Sequence, residues 1–153
     1  MKYTLLIFAI FGIIVSSLAL REHYREYGDS PCSINAHWDC GVVNHSPYAM
    51  LPNHADDWPL HFQIPVAVVG ILGYILMAIL ALSRSYRFLL ACALGGLGFS
   101  LYLAHIEKDI LGEWCIYCVI SLGIVSVMTL LTLGTVIAKT MRRTPLEEKV
   151  PSR

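Results

Sequence analysis

Five cysteines carry most of the chemistry this sequence could perform: Cys32, Cys40, Cys92, Cys115 and Cys118. Cys115-Ile116-Tyr117-Cys118 is a C-x-x-C motif at the start of a long apolar run. Residues three apart share a helix face, which brings the two sulfurs within bridging reach. The first cysteine meets the partial positive charge at a helix N-terminus, which favours thiolate over thiol and makes Cys115 the expected nucleophile. Burial in lipid acts in the opposite sense. A static disulfide or half of a metal site is the plainer alternative. A static bridge within one helical turn closes a very short loop and gives little chain-entropy stabilisation, so thiol exchange is the favoured reading.

Cys32 and Cys40 permit three readings. They could form one structural disulfide that closes a loop. With His37 and His45 they could offer two thiolates and two imidazoles to a tetrahedral zinc ion, although the spacing C-x4-H-x2-C-x4-H lacks the usual short cysteine pair. In combination with Cys115 and Cys118 they could pass a disulfide along by thiolate attack through a mixed disulfide. A loop pair would then reach a soluble partner, while a helix pair would sit at the lipid boundary where a hydrophobic electron acceptor dissolves. Cys92 stands apart and is read as a packed side chain.

The elements that must position these sulfurs are membrane helices. The chain has 153 residues, of which 56% are hydrophobic and 14% charged, against about 25% charged in an average soluble domain. Mean hydropathy is +0.62. Lys plus Arg and Asp plus Glu each number 11, so the basic excess that neutralises phosphates is missing and nucleic acid is not an expected partner. Tyr3 to Leu20, Ile64 to Leu82, Phe88 to Ile106 and Trp114 to Ala138 contain no charged residue. Each is close to the ~20 helical residues that cross a ~30 Å hydrocarbon core. The expected architecture is an all-α, four-helix transmembrane bundle over residues 1–138, with an outer loop at 21–61 and a tail at 139–153. Lys2, the following apolar run and Ser17-Leu18-Ala19 could also be a secretory signal, but the run exceeds the ~7–15 residues usual for one.

Lys2, Arg84, Arg87, Lys139, Arg142, Arg143, Lys149 and Arg153 fall on one side of these spans, and only Arg21, Arg25 and Lys108 on the other. The positive-inside rule then places both termini in the cytoplasm and both cysteine pairs outside, where disulfides persist. The outer loop carries Pro31, Pro47, Pro52 and Pro59 and most of the histidines, and loops of this length tend to be functional. Trp58 and Phe62 suit the headgroup level. Gly70, Gly73, Gly95 and Gly96 suggest close helix packing. No internal repeat and no fused thioredoxin-like domain is expected.

From roughly Leu5 to Leu130 the sequence resembles the vitamin K epoxide reductase family in its bacterial form. The resemblance rests on Cys32 and Cys40 in the outer loop, Ser46-Pro47-Tyr48 after them, Phe62-Gln63-Ile64-Pro65 opening the second span, and Trp114-Cys115-Ile116-Tyr117-Cys118 opening the fourth. It implies a bundle around a quinone of the ubiquinone, menaquinone or phylloquinone type. It also implies that Cys32 exchanges with a soluble thioredoxin-fold partner, that Cys40 exchanges with Cys115, and that Cys118 faces the quinone. Ser46 matches a loop Ser/Thr that holds the region beside the active cysteines. Leu122 stands where vertebrate members have tyrosine, and Asn44 and Gln63 are candidates to replace its hydroxyl through their amide donors. His105 could hydrogen-bond a quinone carbonyl or move a proton.

The reading that follows is a quinone-linked thiol-disulfide oxidoreductase supporting disulfide formation, in a bacterial cytoplasmic membrane with the cysteines periplasmic; an endoplasmic reticulum membrane is the less favoured setting. Epoxide reduction of the vertebrate type is the near alternative. The convergent DsbB-type arrangement, which puts its C-x-x-C in the first outer loop, fits less well because the motif here opens the fourth helix. From another class, a non-enzymatic metal-binding membrane protein would use the loop cysteines and histidines.

Overall fold

The computed structural model describes residues 1–26, 32, 37–51 and 63–147, the last six as backbone only. Trp58 and Phe62 lie outside the described residues, as do Pro31, Pro52, Pro59, Lys149 and Arg153.

The charge-free runs become helices, the form that closes every backbone hydrogen bond within one segment. In chain order they are α1 (Lys2–His23), the short α2 (Cys40–Asn44), α3 (Val66–Leu82), α4 (Tyr86–Ile106) and α5 (Ile116–Glu147). A 3-10 turn spans Pro47–Ala49, and a wide turn, Glu107–Leu111, prolongs α4. Three stretches, Lys2–His23, Tyr86–Leu111 and Ile116–Met141, are long and apolar enough to cross a membrane. Val66–Leu82 is shorter at 17 residues, about 26 Å at 1.5 Å per residue. The fold is that of an all-α membrane protein.

α1 packs on α3, α3 on α4, α4 on α5 and α5 back on α1, so the four long helices form a closed ring. Leu5, Leu89 and Met128 are fully buried at the end of the ring away from the cysteine motif, with Ala9, Ala81 and Ala93 between them. Thr129 and Thr132 are also buried there, and each hydroxyl donates to the carbonyl four residues earlier, at 2.7 and 2.6 Å. That satisfies two polar groups where water has no access. The outer surface carries Ile7, Phe11, Leu72, Phe88 and Leu130 exposed, an apolar exterior of the kind that lipid solvates.

Tyr74 fastens three helices together. Its ring lies against Gly12 of α1 so closely that a side chain there would overlap it. Its hydroxyl meets the carbonyl of Ser121 at 3.0 Å and the hydroxyl of Ser121 at 2.9 Å, on α5. The glycines picked out in the sequence divide. Gly70 lies against Ser16 and Gly96 against Val125, but Gly73 and Gly95 have open space where a Cβ would stand, so their reading as packing contacts is corrected.

The second long helix, α3, begins two residues later than its charge-free run. Ile64–Pro65 instead pairs antiparallel with Met50–Leu51, Met50 opposite Pro65 and Leu51 opposite Ile64. Pro65 has φ −56° and ψ 134°, and with its ring-locked φ and lack of an N–H it closes the strand and leads into the helix. This small ribbon ties the outer connector, at Met50–Leu51, to the start of α3. At the opposite end, the tight turn between α3 and α4 holds Arg84 at φ 56°.

Candidate active site

Both cysteine pairs lie at the same end of the ring. Asp39 caps α2: its Oδ1 accepts from the backbone N–H of Gly41 at 2.8 Å and of Val42 at 3.2 Å, which fixes Cys40 in the first turn. Cys32 and Cys40 are joined as a disulfide, with Cα atoms 5.7 Å apart. The segment before α2 is pinned to the start of α5 by a backbone bridge between Trp38 and Trp114, in which the Trp114 N–H donates to the His37 carbonyl at 2.9 Å. Their rings face one another with centroids 6.4 Å apart.

This pinning brings the pairs together. Cys32, Cys40, Val43 and Cys115 form one buried cluster, with Leu111, Ile116, Tyr117 and Cys118 packed around it. Cys40 and Cys115 are both fully buried. Asn44 bridges the two elements: its Nδ2 donates to the Cys40 carbonyl at 2.8 Å and to Cys115 Sγ at 3.6 Å. Cys115 and Cys118 are free thiols.

Cys115 stands one residue ahead of α5, outside the membrane-spanning helices. The hydrogen bond it shares with the Cys118 side chain holds its pKa below the usual thiol value, outweighing burial and the nearby charge of Glu107, which push it up. A thiolate stabilised in this way is both a better-populated nucleophile and a better leaving group in exchange.

Beside the cysteines a cavity opens between the helices, with about 870 Å³ of atom-free space when its open mouth is counted. Its walls are largely apolar, from Val15 and Ala19 of α1 to Val66 of α3 and Leu103 of α4, with a few polar groups directed inward. An apolar slot of this size with sparse polar contacts suits a ring-bearing lipid-soluble molecule. Cys118 lies on the wall nearest the sulfur cluster.

The expected site residues separate in space. Cys32, Cys40, Cys115 and Cys118 converge, and Asn44 and Ser46 line the cavity. The Ser46 hydroxyl donates to the Val43 carbonyl at 2.8 Å and so holds the end of α2. The structure does not bring Gln63 or His105 to the cavity. Gln63 is exposed, and His105 is exposed and pairs with Asp109 at 2.6 Å, a helical turn away. Among the described residues the four candidate metal ligands do not gather as one site: Cys32 and Cys40 are bonded to each other, and both ring nitrogens of His45 face backbone carbonyls, of Gly41 and Arg25.

Two residues at the site were not singled out by sequence reasoning. His23, at the end of α1, lines the cavity, and its Nδ1–H donates to the Asn44 carbonyl at 2.6 Å. Glu107, the charged residue that directly follows the apolar run Phe88 to Ile106, is 2% exposed. Its Oε2 accepts from the Cys115 backbone N–H at 3.1 Å.

The vitamin K epoxide reductase family model matches residues 3–133, which is most of the chain and includes all four converging cysteines. The protein belongs to the vitamin K epoxide reductase family. No curated protein matches the sequence. Membership implies, in general terms, a membrane oxidoreductase that links thiols to a quinone, and the sulfur cluster beside an apolar cavity is an arrangement able to carry such chemistry.

Proposed function

We propose that this family member takes electrons from a soluble thioredoxin-fold dithiol through Cys32 and Cys40, passes them to Cys115 and Cys118, and reduces a bilayer quinone, thereby supplying disulfides to exported proteins. A partner thiolate attacks Cys32 Sγ, breaks the Cys32–Cys40 bond and releases Cys40 as thiolate. The partner's second thiolate then attacks the mixed disulfide and releases Cys32. Cys40 attacks Cys115 of the oxidised helix pair and Cys118 leaves; Cys32 closes on Cys40 and Cys115 leaves in turn. Each exchange trades one S–S bond for another. The helix dithiol finally forms its own S–S bond while two electrons and two protons pass to the quinone.

The observation that carries this reading is the burial of Cys40 and Cys115 in one cluster, with Asn44 bonded to both residues and Cys118 at the cavity wall. Four membrane spans, cytoplasmic termini and a periplasmic cysteine end in a bacterial cytoplasmic membrane complete the proposal, supported by the charge asymmetry of the connectors. The test is quinone-dependent oxidation of a reduced thioredoxin-fold protein by membranes containing the chain. Single Cys→Ala changes at Cys32, Cys40, Cys115 and Cys118 should each reduce it to background. Full activity in both the Cys115→Ala and Cys118→Ala proteins would contradict the proposal.

A further inference from the structure

Glu107 is a buried acid that the sulfur relay leaves unused. It is 2% exposed, and among the described residues no basic side chain pairs with it. Retaining a carboxyl in such a place is costly unless its oxygens are bonded. Its bonding partner comes from the redox motif, the Cys115 backbone N–H at 3.1 Å, and the Cys118 thiol lies close beside it. Glu107 also lines the cavity that Cys118 borders. Glu107 directly follows the buried Ile106 and keeps helical backbone angles at the end of α4, where the wide turn Glu107–Leu111 begins; that turn ends at Gly112 with φ 69°.

We infer that Glu107 is a catalytic proton carrier, accepting the thiol proton of Cys118 as the Cys115–Cys118 bond forms and releasing it into the cavity to the reduced quinone. This role rests on the quinone reading above and deepens it. The step balances: the two sulfurs lose two electrons as their bond forms, and the quinone gains both. Cys118, displaced as a thiolate, takes up one proton, which reaches the quinone through Glu107; Cys115 leaves the loop pair as a thiolate and carries none, so the second proton comes from solvent. Among the described residues, Cys115, Tyr117 and Cys118 of the motif, His23 on α1 and Tyr48 after α2 face this region, and Arg21, Glu22 and Arg25 at and just after the end of α1 act on it through Tyr117. His105, Lys108 and Asp109, on the same element as Glu107, are exposed.

The test compares the full chain in detergent with its Glu107→Gln and Glu107→Asp variants, using menadione as the quinone probe. Glutamine keeps an acceptor for the Cys115 N–H but cannot carry a proton. The pre-reduced Glu107→Gln protein should reoxidise about a hundredfold or more slowly, as expected for loss of a general acid or base. Its rate should also lose the pH dependence of the parent, and Glu107→Asp should recover part of both. A second readout needs no quinone: alkylation of reduced Cys115 should move to lower pH in Glu107→Gln, because a neighbouring negative charge has been removed. Parent-like reoxidation with a parent-like pH profile in Glu107→Gln would overturn the inference alone. A parent protein whose helix pair stays reduced in the presence of menadione would overturn the inference together with the quinone reading.

Discussion

Cys115 concentrates the chemistry at the scale of a single residue, because it takes a donor from each side: the Cys118 side chain and Asn44 Nδ2. Donors to a sulfur favour its charged form. Alkylation of reduced Cys115 should therefore be half-maximal at a pH below that of an ordinary thiol, whose pKa is about 8.5, and should move upward in Cys118→Ala. An unchanged midpoint would show that the Cys118 bond does not stabilise the thiolate. Asn44→Ala removes one hydrogen bond to the sulfur and one to α2, each worth about 0.5–1.5 kcal/mol. Transfer between the two pairs should slow by roughly tenfold, measured as the rate at which the helix thiols appear after a pulse of reduced partner. The four cysteines were legible in the sequence because spacing and membrane side speak directly about sulfur chemistry. Glu107 was not, since an acid at the end of an apolar run reads as the first solvated residue of a connector. Its burial and its bond to the Cys115 N–H in the folded chain show that it points inward. His23 was hidden for a related reason: nothing in the one-dimensional pattern distinguishes it from the exposed histidines nearby.

Among the elements, α2 and the contact between α1 and α3 bear the load of positioning. Asp39→Ala removes the cap of a five-residue helix and should cost about 1 kcal/mol, loosening Cys40 from the cluster. The measurable result is faster reduction of the Cys32–Cys40 bond by a small thiol. Gly12→Ala forces a methyl group into the Tyr74 ring, which its bonds to Ser121 keep from swinging aside. Thermal unfolding in detergent should show a loss of about 1–3 kcal/mol. Gly73→Ala meets open space and should be neutral or stabilising by up to about 1 kcal/mol, through helix propensity. The helices themselves were legible because lipid leaves an apolar run few other structures. Their contacts were not, as the division of the glycines shows: a small residue permits close approach, but the partner across the gap decides whether approach occurs. The delayed start of α3 is a similar case, since Pro65 belongs equally to a charge-free run and to the end of a strand.

For the whole molecule, the closed ring of α1, α3, α4 and α5 places both cysteine pairs at one end and the fully buried Leu5, Leu89 and Met128 towards the other. The orientation proposed from the connector charges makes the turn at Arg84 cytoplasmic. A cysteine introduced by Arg84→Cys in a Cys92→Ala background should resist a membrane-impermeant maleimide applied to intact cells, whereas Cys32, once reduced, should react. Labelling of both from the same side would reverse or cancel that topology. The most direct test of the account is whether the two pairs meet covalently. In a protein carrying Cys32→Ser and Cys118→Ser, gentle oxidation followed by proteolysis and mass spectrometry should recover a peptide pair joined through Cys40 and Cys115. Recovery of both cysteines as free thiols, open to alkylation after the same treatment, would contradict it.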